Sequence, residues 1–122
     1  MSKLLILLLM TTNIIAQEFI DSSSFESKTA KGITVIEFWA EWNKSNEVTF
    51  LSSLKGGDAF KICIAKNADV TSKFKVVSIP TIIILENGIE QARFNPNIMM
   101  QLPVTKKEVQ KIIDNITLSK FQ

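Results

Sequence analysis

At 122 residues, with 46% hydrophobic and 21% charged side chains, the chain has room for one packed domain and is too apolar to be disordered. Its 14 basic and 12 acidic residues leave a net charge of +2, too small and too scattered to point to nucleic acid. Histidine is absent and cysteine occurs once, as Cys63, which excludes the commonest general base, an internal disulfide and a cysteine-based metal site.

Residues 1–16 read as a secretory signal peptide, with Lys3 as the basic start, an apolar run from Leu4 to Met10 and a more polar end at Ala16. The apolar run is well short of the ~20 residues that a membrane span requires. A buried N-terminal helix or strand is the competing reading. Cleavage before Gln17 would leave one domain, 17–122, exported to the periplasm or secreted and without a membrane span.

Within that domain, 18–20 is a short strand and 22–31 a helix capped by Ser22 or Ser23 and stopped by Gly32. Ile33–Trp39 is a strand whose apolar residues do not alternate, as expected when both faces are covered. A helix is predicted over 43–54, with Val48, Leu51 and Leu54 facing inward and Gly56-Gly57 ending it. Next come a strand at 60–64, a short helix at 69–74 capped by Asp69, and a strand at 81–85. Asn87-Gly88 signals a tight hairpin to Ile89–Phe94. Thr105 and Glu108 form a capping box that opens a final helix to about Ile116. The resulting order is β-α-β-α-β-α-β-β-α, with no internal repeat.

Two motifs carry a family resemblance. Thr34-Val-Ile-Glu-Phe-Trp-Ala-Glu-Trp-Asn-Lys-Ser-Asn46 resembles the active-site segment of thioredoxins, where the same strand leads into a Cys-x-x-Cys pair. Ile79-Pro80-Thr81 resembles the family's cis-proline run, which faces that pair. The resemblance spans 22–116 and implies an α/β fold, a three-layer α/β/α sandwich with a mixed central sheet and a C-terminal hairpin and helix. The chain departs from the pattern in three places. The 43–54 helix is short and lacks a kinking proline. The 95–103 link is longer than usual. Asn43 and Asn46 occupy the two cysteine positions.

Thiol–disulfide exchange needs a thiolate and a resolving thiol, and neither asparagine supplies one. Asn43 is read as the cap of the following helix, Asn46 as a local hydrogen-bonding residue, and Lys44 and Ser45 as solvent-facing. Glu37, an acid in an apolar strand, is costly to bury unpaired. The resemblance places Lys61 on the neighbouring strand, so a buried Glu37–Lys61 pair is expected. Cys63 lies between Ile62 and Ile64 and reads as a buried, unreactive thiol. Trp39 reads as core support. Trp42 reads as either a partner anchor or ordinary packing, and Ile98 to Met100 as an apolar lip or a cover for the sheet end.

The functional expectation is a redox-inactive module that binds a protein or extended peptide, using no cofactor or metal. Its groove comprises Trp42, Asn43, Lys44, Ser45, Asn46, Ile79 and Pro80. In the family the backbone beside the proline pairs with an extended chain, and that recognition does not need thiols. The alternative is a thiol–disulfide oxidoreductase. It would apply if Cys63 were active or if the asparagines had been introduced into a Cys-Lys-Ser-Cys parent.

Overall fold

The computed structural model describes residues 17–121, so the expected signal peptide at 1–16 lies outside the described residues. Five strands form one mixed sheet in the order β1-β3-β2-β4-β5. They are β1 (Phe19–Ile20), β2 (Ile33–Trp39), β3 (Asp58–Cys63), β4 (Thr81–Glu86) and β5 (Ile89–Phe94). β1 and β2 flank β3 in parallel, β4 runs antiparallel to β2, and β5 runs antiparallel to β4. All seven residues of β2 are buried, because the strand is central and both of its faces are covered.

Side chains alternate across the sheet, and each face packs its own helices. Ile36, Phe38, Ile62 and Ile83 meet Phe25 of α1 (Ser22–Thr29) and Val70 of α2 (Ala68–Lys73). Val35, Ile82 and Ile84 meet Val109 and Ile113 of α3 (Lys106–Ser119), together with Val48, Leu51 and Leu54. This is the three-layer sandwich that the family resemblance implied. The hairpin between β4 and β5 turns at Asn87 and Gly88, with φ of 51° and 81°. Two successive left-handed residues match the twist of the strands they join, and asparagine and glycine tolerate that conformation best.

Several local expectations are corrected. The predicted helix at 43–54 is two short 3₁₀ segments, Glu41–Asn46 and Leu51–Ser53, separated by extended backbone at Glu47. The Val48 N–H donates to the Glu37 carboxylate at 3.1 Å rather than to a carbonyl one turn back. The segment is also rich in asparagine, serine and β-branched residues, which favour helices weakly. Gly56-Gly57 therefore ends no helix. Asp21, not Ser22 or Ser23, caps α1 and forms a reciprocal box with Ser24. The α2 cap position is Asn67, not Asp69, and its side chain instead joins Ser22 N to the Cys63 carbonyl. Thr105 caps α3 by accepting from Glu108 N, and the helix continues to Ser119. No described helix is long and apolar enough to cross a membrane.

Since α3 holds its face of the sheet through two fully buried side chains, Ile113→Ala should destabilise the fold by roughly 2–5 kcal/mol. Ile89→Ala, at a β5 position 67% exposed, should change stability by less than about 0.5 kcal/mol. Urea denaturation of the two variants checks the contrast.

Candidate functional site

β2 delivers its C-terminal end directly into the 41–46 turn, and that junction gathers the residues singled out from sequence. Trp42 is 67% exposed, whereas Asn43 is only 8% exposed. Lys44 and Ser45 face solvent, Asn46 is half-buried, and Ile79 and Pro80 are buried. The Ile79–Pro80 bond is cis.

Asn43 is not a helix cap. Its Nδ2 donates to the Ile79 carbonyl at 3.3 Å and to the Met100 carbonyl at 3.0 Å. Its Oδ1 accepts from Asn46 Nδ2 at 2.8 Å. The reverse placement of this amide would aim its oxygen at two carbonyl oxygens, so the partners fix its orientation. The correction has a physical reason. The side chain lies 92% inside the protein, where unpaired amide N–H groups are costly, and the two carbonyls pair both of them.

Glu37 and Lys61 are neighbours in the β2–β3 register. The Lys61 ammonium nevertheless lies 2.7 Å from Glu47 and 3.8 Å from Glu37. Glu47 also accepts from Trp39 Nε1 at 3.1 Å. One buried cation thus serves two acids and sits closer to the more exposed one. Glu37 Oε1 has no hydrogen-bond partner, while Oε2 accepts from Val48 N–H. Burial is the main force raising the Glu37 carboxyl to about 7, with a smaller push from the Glu47 charge; Val48 N–H and Lys61 oppose it. Glu47 moves the other way, held below its usual value chiefly by the Lys61 hydrogen bond.

Cys63 ends β3 and is half-buried rather than buried. It lines a cleft of about 600 Å³ with Phe19, Trp39, Lys66 and Asn67. A second cleft, also about 600 Å³ and mostly apolar, runs between Trp42 and Val77 over Ile64, Ala68 and Val76. Val77 is 94% exposed there. Among the described residues no group of three acidic or cysteine side chains could hold a metal ion.

Sequence reasoning missed Glu47, Ile64, Val76 and Val77, and took Met100 only as part of an apolar lip or sheet cover. For Glu47 the available signal was two acids, Glu37 and Glu47, near one buried lysine. The expected helix obscured it by turning Glu47 outward. Met100 contributes only its backbone carbonyl, which no side-chain pattern announces.

The raised Glu37 carboxyl makes the fold pH-sensitive. Between pH 4.5 and about 7 the folded chain holds a proton that the unfolded chain has released, so this group's contribution to stability falls as pH rises. The loss is on the order of 3 kcal/mol at about 1.4 kcal/mol per pH unit. Glu37→Gln, which keeps an acceptor for Val48 N–H, should flatten urea midpoints over that window and raise stability above it. Glu47→Gln should free Lys61 for Glu37 and shrink the same fall.

No family model matches the chain. Among curated relatives, the thioredoxin of Mycoplasma genitalium is 30% identical over 71 residues, spanning 53% of this chain and 70% of the relative. The thioredoxin of Staphylococcus epidermidis is 30% identical over 76 residues, spanning 57% of this chain and 73% of the relative. Among solved structures, a mutant thioredoxin from Halobacterium salinarum superposes with a TM-score of 0.64 at 16% identity, covering 81% of this chain and 88% of that one. A mutant Entamoeba histolytica thioredoxin gives 0.61 at 18% identity, over 82% and 99%. These structural likenesses speak to the fold. The curated relatives, matched over most of their own length, establish that the chain belongs to the thioredoxin family.

Proposed function

We propose that the chain is an exported, redox-inactive member of the family that binds an extended peptide or protein segment beside the 41–46 turn. The observation that carries this reading is the apolar cleft between Trp42 and Val77, whose walls are 67% and 94% exposed. Exposed aromatic and aliphatic side chains flanking a shallow apolar depression are what an unfolded or extended segment would bury. Lys75 also lines the cleft and favours a segment carrying some acidic residues.

The loss of redox chemistry is argued from composition and from the site. Asn43 and Asn46 hydrogen-bond to each other and cannot form a thiolate or a mixed disulfide. Cys63, the single thiol, lies at the end of another strand and has no second cysteine to resolve an adduct. Export rests on the sequence of 1–16 alone. The absence of thiol chemistry leaves the cleft as the working surface.

Catalytic reduction of insulin disulfides tests the proposal. The wild-type chain is expected to show no turnover, and Asn43→Cys/Asn46→Cys is expected to gain it. Trp42→Ala should weaken binding of an unfolded client polypeptide by roughly ten-fold or more while leaving the melting temperature unchanged. Turnover by the wild-type chain would mean that Cys63 is active and would sink the proposal.

A further inference from the structure

We propose that the 95–103 link is an internal strap, held by Asn43 across the Ile79 backbone, that keeps the peptide-binding edge closed until a partner displaces it. The inference rests on the peptide-binding reading and adds a mechanism that controls it. Both N–H groups of the Asn43 amide are engaged, one on the Ile79 carbonyl and one on the Met100 carbonyl. The same side chain therefore fastens the strap and occupies the carbonyl that an incoming strand would use.

The strap is built to present that carbonyl. Asn97 Oδ1 accepts from Met99 N at 2.9 Å and Gln101 N at 3.1 Å, and Asn97 N donates to the Gln101 carbonyl at 2.9 Å. This compact turn bends through Met100, whose φ of 56° is the left-handed conformation that side chains other than glycine seldom adopt. Leu102 and Val104 anchor its far side in the core under α3. Its tip remains free, with Ile98 and Met99 100% and 69% exposed. The turn is thus stiff within itself, rooted at one end, and held over Ile79 by the Asn43 hydrogen bond to Met100. Rotation of the Asn43 amide away from the site breaks both bonds at once, which couples opening of the strap to exposure of the Ile79 carbonyl.

Side-chain chemistry makes the idea specific to asparagine. Alanine has no donor at this position, and aspartate would set a negative oxygen against two carbonyls. Serine has one donor and can serve only one of them.

The test pairs amide hydrogen exchange of 97–101 with fluorescence anisotropy, using the full chain. The probe is a fluorescein-labelled decapeptide of alternating valine and threonine flanked by glutamates, the charge that Lys75 favours. Asn43→Ala and Asn43→Asp should speed exchange in the strap and tighten peptide binding by roughly ten-fold, because each removed hydrogen bond raises the fraction of open molecules. Asn97→Ala, at an exposed position away from the core, should do the same through the turn itself and guards against an Asn43 variant that fails to fold. Unchanged exchange in all three variants would overturn the strap. Faster exchange with wild-type affinity would overturn the occlusion while leaving peptide binding intact. Faster exchange with no binding by any form would overturn the occlusion and the peptide-binding reading together.

Discussion

The carboxamide of Asn43 has two N–H groups and one carbonyl oxygen, and all three are paired. Its partners come from the cis-proline loop, the link after β5, and the far end of its own turn. These segments are 36, 57 and 3 residues away in sequence. A buried polar group must find such partners or destabilise the fold, so the position cannot vary freely once the surrounding carbonyls point inward. Where the thioredoxin resemblance expects a reactive thiol, this chain has a structural tie. The tie occupies the Ile79 carbonyl beside the cis-proline.

Next to the tie lies a second constraint, one lysine between two acids. Lys61 hydrogen-bonds to Glu47, which also receives the Trp39 indole N–H. Glu37 is left fully buried, with one oxygen 3.8 Å from the Lys61 ammonium and without a hydrogen bond. Its other oxygen takes the Val48 N–H and so pulls the chain after the turn out of helical geometry. The raised carboxyl and the broken 3₁₀ path between β2 and β3 thus share an origin. Neither requires a catalytic role for Glu37, since a neutral acid can hold Val48 as a structural acceptor near neutral pH.

The strands, the hairpin at Asn87-Gly88 and the α3 cap at Thr105 were legible in sequence because each depends on local pattern or turn chemistry. The three-layer arrangement was legible through the resemblance carried by Thr34–Asn46 and Ile79–Thr81. The 43–54 segment was not legible, because its backbone answers to the Glu37 carboxylate, eleven residues before Val48 on another element, which helical periodicity does not register. Asn43 misled for a related reason. Asparagine is a good cap by local rules, but here two carbonyls from other loops, those of Ile79 and Met100, claim both of its N–H groups. Cys63 read as buried because isoleucines flank it, whereas β3 ends there and leaves it half-open. The apolar depression was legible at Trp42 but not at Val76 and Val77, which the fold brings to the same surface.

The most direct measurement is NMR of the Asn43 side-chain amide in the ¹³C,¹⁵N-labelled chain. Two hydrogen-bonded protons should appear as resolved resonances that exchange slowly with solvent. Scalar couplings across the hydrogen bonds should reach the Ile79 and Met100 carbonyl carbons. Protons that exchange as fast as those of an exposed asparagine, with no such couplings, would contradict the tie on which the site depends.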